Sequence, residues 1–186
     1  MADVTLRRRT FLALLPAAWP AAAAAADDEA IAERRVKAAY LYRFASYVQW
    51  PEDTFTAPST PLVIGVWGYD ELAEDLTALV RGRTVDGRPV EARRLRDADA
   101  LAGLHMLFIG RARSARLGDT VGNQPLRGTL VVTETPRALL QGSIINFLLS
   151  EGQVRFELSL EAAEKRGLKL SSRLVTISQN LSGKAR

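Results

Sequence analysis

PLVIGVWGYDELAEDLTALV, residues 61–80, decides the fold. Leu62 to Trp67 is apolar without interruption and short enough for a strand covered on both faces. The period then changes. Over Asp70 to Val80 the apolar residues Leu72, Leu76, Leu79 and Val80 recur at helical spacing. A doubly buried strand leading straight into a helix is the repeating unit of a parallel α/β sheet.

Downstream the alternation continues. Asp86-Gly87 is a turn signal, and Val90 to Leu95 reads as a second strand with charged residues on one side. Asp97 to Leu101 is expected to be a short helical turn, His105 to Ile109 a third strand and Ser114 to Val121 a helix. Thr129 to Thr133 reads as a fourth strand and Pro136 to Leu140 as a short helix. Ser143–Leu149 and Val154–Leu158 flank S-E-G-Q, a hairpin signal. Leu160 to Arg166 is helical with Gly167 as its C-cap, and Leu168 to Ile177 is expected to be extended. The expectation is a single α/β domain: a mostly parallel sheet with helices on both faces and an antiparallel C-terminal hairpin. Rossmann-like and flavodoxin-like strand orders are both open.

Upstream lies KAAYLYRFASYVQWPE, residues 37–52, with five aromatic rings in sixteen residues. Ile31, Val36, Ala39, Tyr40, Phe44 and Tyr47 recur at intervals of three and four, which predicts an amphipathic helix over 29–49 with Arg34 and Arg35 opposite. Pro51 ends it, because a proline disfavours helical geometry in the residue before it.

The first residues have the order of an export signal: Arg7, Arg8 and Arg9, an apolar run from Phe11 to Trp19, then an alanine tract. That run is too short and too proline-broken to span a hydrocarbon core of about 30 Å. Arg8-Arg9-Thr10-Phe11-Leu12 resembles a twin-arginine address, so both export routes are open. Cleavage is expected after Ala26, dividing the chain into a signal (1–26) and one domain (27–186). Loss of Arg7, Arg8, Arg9 and Asp3 reduces the net charge from +4 to +2. No Lys/Arg block or basic helix face of the kind nucleic acid demands remains; R-R-L-R at 93–96 reads as a solvated face. The absence of cysteine excludes a thiol nucleophile, a thiolate metal site and disulfide control.

A catalytic constellation is not found. His105 is the only histidine, so a two-histidine metal site is impossible, and among the apolar residues of L-H-M-L-F-I-G it reads as structural. A Ser-His-Asp arrangement lacks its G-x-S-x-G turn. G-V-W-G-Y-D lacks the third glycine of a dinucleotide loop and puts Trp67 where a pyrophosphate would approach. Asn146, in an apolar strand, reads as satisfying buried backbone groups. Arg155 and Glu157, at i and i+2, share a face expected to be exposed. L-S-S-R-L at 170–174 reads as a turn-stabilising arrangement, with an anion contact as the alternative. No catalytic residue, cofactor or metal site is assigned.

Four segments in order resemble the YfiR-like family: K-A-A-Y-L-Y-R-F-A-S-Y-V-Q-W-P, P-L-V-I-G-V-W-G, I-N-F-L-L…V-R-F-E-L and A-A-E-K-R-G-L-K-L-S-S-R-L. The likeness covers about residues 33–178. It implies a periplasmic α/β domain that is not an enzyme and that represses an inner-membrane diguanylate cyclase through the cyclase's periplasmic sensory domain. It also implies release by an outer-membrane lipoprotein, control of cyclic-di-GMP and biofilm formation, and a homodimer. Tyr42, Arg43 and Trp50, off the apolar stripe, together with Arg155 and Glu157, are the expected partner contacts, since exposed Tyr and Trp suit interface hot spots. The alternative is a sensor module feeding a histidine kinase or other membrane signalling protein. Its small ligand would lie at the carboxyl ends of the parallel strands, lined by Trp67, Gly68 and Gly110.

Overall fold

The computed structural model describes residues 19–183 apart from 98, 100, 124 and 125, with side chains described between 26 and 178. The basic cluster and most of the apolar run of the expected export signal lie outside the described residues. The expected cleavage point after Ala26 falls within the first helix.

That helix, α1 (Trp19–Ala45), opens in alanines, the strongest helix formers, and tolerates Pro20 in its first turn. It stops four residues short of the predicted end. Ser46 and Tyr47 turn back onto the carbonyls of Arg43 and Phe44. Val48–Gln49 (β1) then pairs antiparallel with Lys169–Leu170 (β9). A pairing across more than a hundred residues thus overrides the local helical period.

The main sheet contains β2 (Leu62–Trp67), β3 (Thr84–Val85), β4 (Arg88–Leu95), β5 (Met106–Ile109), β6 (Leu130–Thr133), β7 (Ile145–Ser150) and β8 (Gln153–Leu158). Their spatial order is β3-β4-β2-β5-β6-β7-β8. The five inner strands are parallel, and β3 and β8 add antiparallel edges. Numbered along the chain, the parallel strands run 2-1-3-4-5, the flavodoxin-like order. The sheet's direction of growth therefore reverses between β2 and β5.

Alternation along each inner strand feeds two cores. Leu62, Ile64, Val66, Met106, Phe108, Leu130 and Val132 face α1, α2 (Asp70–Val80), α4 (Leu160–Lys165) and α5 (Ser172–Gly183). Val63, Trp67, Leu107, Ile109 and Val131 face α3 (Leu117–Asn123) and the loops beside it. α3 follows a 3-10 segment, Arg111–Arg116, and together they occupy the predicted helical stretch. Residues 97–101 form no helix among the described positions. The C-terminal segment also departs from expectation. After β9, Ser171 Oγ accepts from the Leu174 amide at 3.3 Å and caps α5. L-S-S-R-L is therefore a helix start, and the extended tail ends at Leu170.

The ring-rich helix is mainly core. Phe44 stacks on Phe147 at 5.7 Å and meets Phe156 edge-on at 5.0 Å, while Tyr40 touches all three. These contacts fasten α1 across the β7–β8 hairpin.

Candidate functional site

In a doubly wound sheet, the loops after the two strands flanking the reversal leave towards opposite faces and open a crevice between them. Here those loops begin at Gly68 and Gly110. They touch: the Gly110 amide donates to the Trp67 carbonyl at 2.8 Å. A methyl group on Gly110 would lie 2.5 Å from the Gly68 oxygen. Gly68 has φ +79°, and a side chain there would meet Arg113 Cγ at 2.6 Å. The floor of the crevice is therefore backbone against backbone, too tight for a phosphate to enter between the loops.

Trp67 takes no part in the crevice. The alternation of β2 turns its ring to the opposite core, where Nε1 donates to Asp97 Oδ1 at 3.1 Å. Arg113 Nε lies 2.9 Å from the same oxygen. Of the three crevice residues expected from the sequence, Gly68 lines the cavity and Gly110 closes its floor, while Trp67 belongs to the other face.

Above the floor is a cavity of about 290 Å³ walled by Glu33, Lys37, Gly68, Tyr69, Arg111, Ala112 and Glu134. Lys37 Nζ, carried on α1, donates to Glu134 Oε2 at 2.6 Å, just beyond the end of β6, and also to Glu33 one turn back on its own helix. Glu134 Oε1 accepts from the Arg111 amide at 3.1 Å. The Lys37 and Glu134 side chains are only 4% and 5% exposed, so this is a buried ion pair. Burial disfavours the ammonium, but the hydrogen bonds to Glu134 and Glu33 outweigh it and hold the Lys37 pKa above the ordinary lysine value. Burial also raises the Tyr69 pKa, with Lys37 opposing it. Sequence reading missed Lys37 and Glu134. They are 97 residues apart, and the only local sign was a lysine among the apolar residues of a helix.

The other expected site residues are scattered. Tyr42 is half-buried: its hydroxyl donates to the Thr84 carbonyl at 3.0 Å, and Arg83 lies over its ring. Trp50 meets Phe55 edge-on and donates to the His105 carbonyl at 3.4 Å. Arg43 is exposed. Arg155 and Glu157 do share a face, but the expected exposure is wrong. Arg155 is 7% exposed, with Nη2 donating to Gln153. Half-buried Glu157 accepts from Asn146 Nδ2 at 2.9 Å. Because β8 lies at one edge of the sheet and Tyr42 docks on β3 at the other, the five residues do not form one surface.

His105 is structural. Its Nδ1 accepts from the Val63 amide at 3.1 Å, and Phe55 stacks on its ring at 4.5 Å. Burial lowers its pKa, a hydrogen bond to the Thr54 backbone opposes this, and Arg88 lowers it further. Asn146 is structural too: Oδ1 accepts from Thr133 Oγ1 at 2.8 Å and from the Thr135 amide at 3.0 Å. Among the described residues, no group of three or more His, Asp or Glu is placed to hold a metal. No helix there is long and apolar enough to cross a membrane.

A family model described as YfiR/HmsC-like matches residues 34–179. The chain belongs to this family. The matched region runs from α1 to the middle of α5 and so takes in every described strand and the residues lining the charged crevice except Glu33. A search of curated proteins gives no match. YfiR/HmsC-like proteins are periplasmic and regulatory rather than catalytic, and the family points to regulation of diguanylate cyclases.

Proposed function

We propose that this chain is a non-enzymatic periplasmic regulator that binds the periplasmic sensory domain of an inner-membrane diguanylate cyclase and represses it. The observation that carries this reading is the family match over residues 34–179. The site chemistry is compatible with it. Lys37 and Glu134, the buried charged pair of the crevice, neutralise each other, and His105 has its ring nitrogens engaged with backbone. Exposed Arg43 remains a proposed contact. An outer-membrane lipoprotein as the releasing partner, a homodimeric state and export directed by residues 1–26 complete the proposal on the strength of the resemblance.

Deletion of the coding sequence is expected to raise cellular cyclic-di-GMP and biofilm mass, with both restored by the exported chain. The purified chain is expected to retain a detergent-solubilised membrane cyclase whose periplasmic domain is intact and to release one whose periplasmic domain is deleted. Unchanged cyclic-di-GMP on deletion, or equal retention of both cyclase forms, rejects the proposal. Terminal sequencing of the periplasmic protein tests the cleavage after Ala26.

A further inference from the structure

His105 is the chain's only histidine, the one side-chain type whose ordinary pKa puts its charge change between pH 5 and 8. It is buried, and its contacts suit the neutral ring. Nδ1 accepts from the Val63 amide at 3.1 Å, and the ring also hydrogen-bonds the Thr54 backbone. A nitrogen that accepts carries no proton, so the ring's one N–H is on Nε2. A proton added at Nδ1 would point at the Val63 N–H, donor against donor.

The surroundings do not compensate the charge either. Phe55 lies flat on the imidazole at 4.5 Å between centroids. An aromatic face attracts a cation, but the Arg88 guanidinium of β4 already lies 4.0 Å over the same Phe55 ring. Asp53 and Arg127, which share with His105 the lining of a cavity of about 240 Å³, pair with each other at 3.6 Å. Neither β2 nor residues 101–104 carry a charged side chain.

What gives way is the arc of chain over the ring. The His105 main chain is tied into the sheet: its amide donates to the Val63 carbonyl at 3.0 Å and its carbonyl accepts from the Leu130 amide at 2.9 Å. Those bonds do not need the ring. The arc, residues 50–56, runs between β1 and a clamp formed by Arg88, whose Nη1 donates to the carbonyls of Ala57 and Pro58 at 2.7 and 2.9 Å. Within it only Trp50 and Phe55 pack against the core, and Glu52, Asp53 and Thr56 are exposed. A segment with so few buried contacts opens at a lower free energy than the sheet beneath it.

We propose that His105 is an acid-released latch: protonation at Nδ1 breaks its bond to Val63 and frees residues 50–56 while the sheet stays closed. The inference requires no cyclase partner, and its test uses this protein alone. Opening returns the ring to water, where its pKa is near 6.5. The closed state binds fewer protons than the open one, so acid favours opening. One proton coupled in this way raises the opening equilibrium by at most about 25-fold between pH 7 and pH 5.

Hydrogen exchange of the untagged mature protein, read residue by residue by NMR and corrected for intrinsic rates, tests this. The Val63 amide, bonded to the ring, and the Thr54 amide, bonded to the Pro51 carbonyl, report the latch, while the Leu130 amide reports the sheet. Opening at Val63 and Thr54 is expected to rise by about 5- to 25-fold from pH 7 to pH 5 and at pH 5 to exceed that at Leu130 by about tenfold or more. His105→Asn, which keeps an acceptor for Val63 but cannot take up the proton, is expected to abolish the rise. Should that variant not fold, Phe55→Ala takes its place: with the stacked ring gone, the single imidazole resonance is expected to titrate closer to 6.5 than in the parent. The proposal is overturned if the parent shows no rise, if His105→Asn retains it, or if Val63 exchanges no faster than Leu130. Equal titration midpoints in the parent and Phe55→Ala overturn it as well.

Discussion

Replacing Lys37 with methionine tests the central contact of the crevice. Methionine keeps the length and apolar body of the side chain and removes only the ammonium. Glu134, 5% exposed, then holds a buried carboxylate whose one remaining donor is the Arg111 amide at 3.1 Å. Removing one partner of a buried ion pair costs about 3–5 kcal/mol. The retained amide bond puts the expected loss at the lower end, about 3 kcal/mol. At roughly 2–4 °C per kcal/mol for a chain of this size, the melting temperature falls by about 6–12 °C. Glu134→Gln leaves a neutral acceptor for Lys37, which keeps Glu33, and is expected to cost about 1–2 kcal/mol. In the double variant neither charge is stranded, so its loss is smaller than the sum of the two single losses by more than about 1 kcal/mol. Urea unfolding followed by tryptophan fluorescence measures all four proteins. Lys37→Met within 1 kcal/mol of the parent, or single losses that simply add, would refute the reasoning. The pair's contribution is fully present below the ordinary lysine pKa and is lost only as pH rises through the higher folded value. The cycle should therefore read the same at pH 7 and pH 9.

His105 supplies an acid-side test. Its folded pKa lies below its unfolded value near 6.5, so the unfolded chain takes up the proton first and stability falls as pH drops below about 6.5. His105→Asn retains an acceptor for the Val63 amide and should flatten that part of the pH–stability curve; a slope that persists shows another group to be responsible. Gly110→Ala forces apart the loops after β2 and β5, whose atoms would approach to 2.5 Å. A loss of roughly 1–3 kcal/mol is expected by denaturant unfolding. Phe44→Ala removes a ring that is 1% exposed and packed on Phe147 and Phe156. It should cost about 3–5 kcal/mol, the largest loss of the set.

Much of the architecture was legible because its causes are local. The boundaries of β2 and α2 follow from the change of apolar period at residues 67–70. The β7–β8 hairpin follows from S-E-G-Q, and the end of α4 from Gly167 at φ +75°. His105 and Asn146 were read as structural because a lone polar group in an apolar strand must find a partner, and both do. The misreadings have the opposite cause. The helix expected to run to 49 stops at Ala45 because residues 48–49 have a strand partner at 169–170. Arg155 was expected in solvent because a strand pattern shows which residues share a face and is silent on what covers it. Tyr42 lies off the apolar stripe of α1 and Trp50 beyond its end, yet Tyr42 donates to Thr84 of β3 and Trp50 to the His105 carbonyl, partners that sequence spacing cannot place.

From the sequence alone come the α/β class, the lack of thiol and two-histidine chemistry, and the family resemblance that the match over residues 34–179 sustains. These depend on composition and on periods of two and three to four residues, which a chain carries wherever it goes. The strand order 2-1-3-4-5 and the closed Gly68–Gly110 floor exist only after folding. So does the meeting of Lys37 with Glu134 above that floor. Hydrogen bonds and ion pairs act over a few ångströms of space, and only the tertiary path brings residues 37, 68, 111 and 134 within that reach.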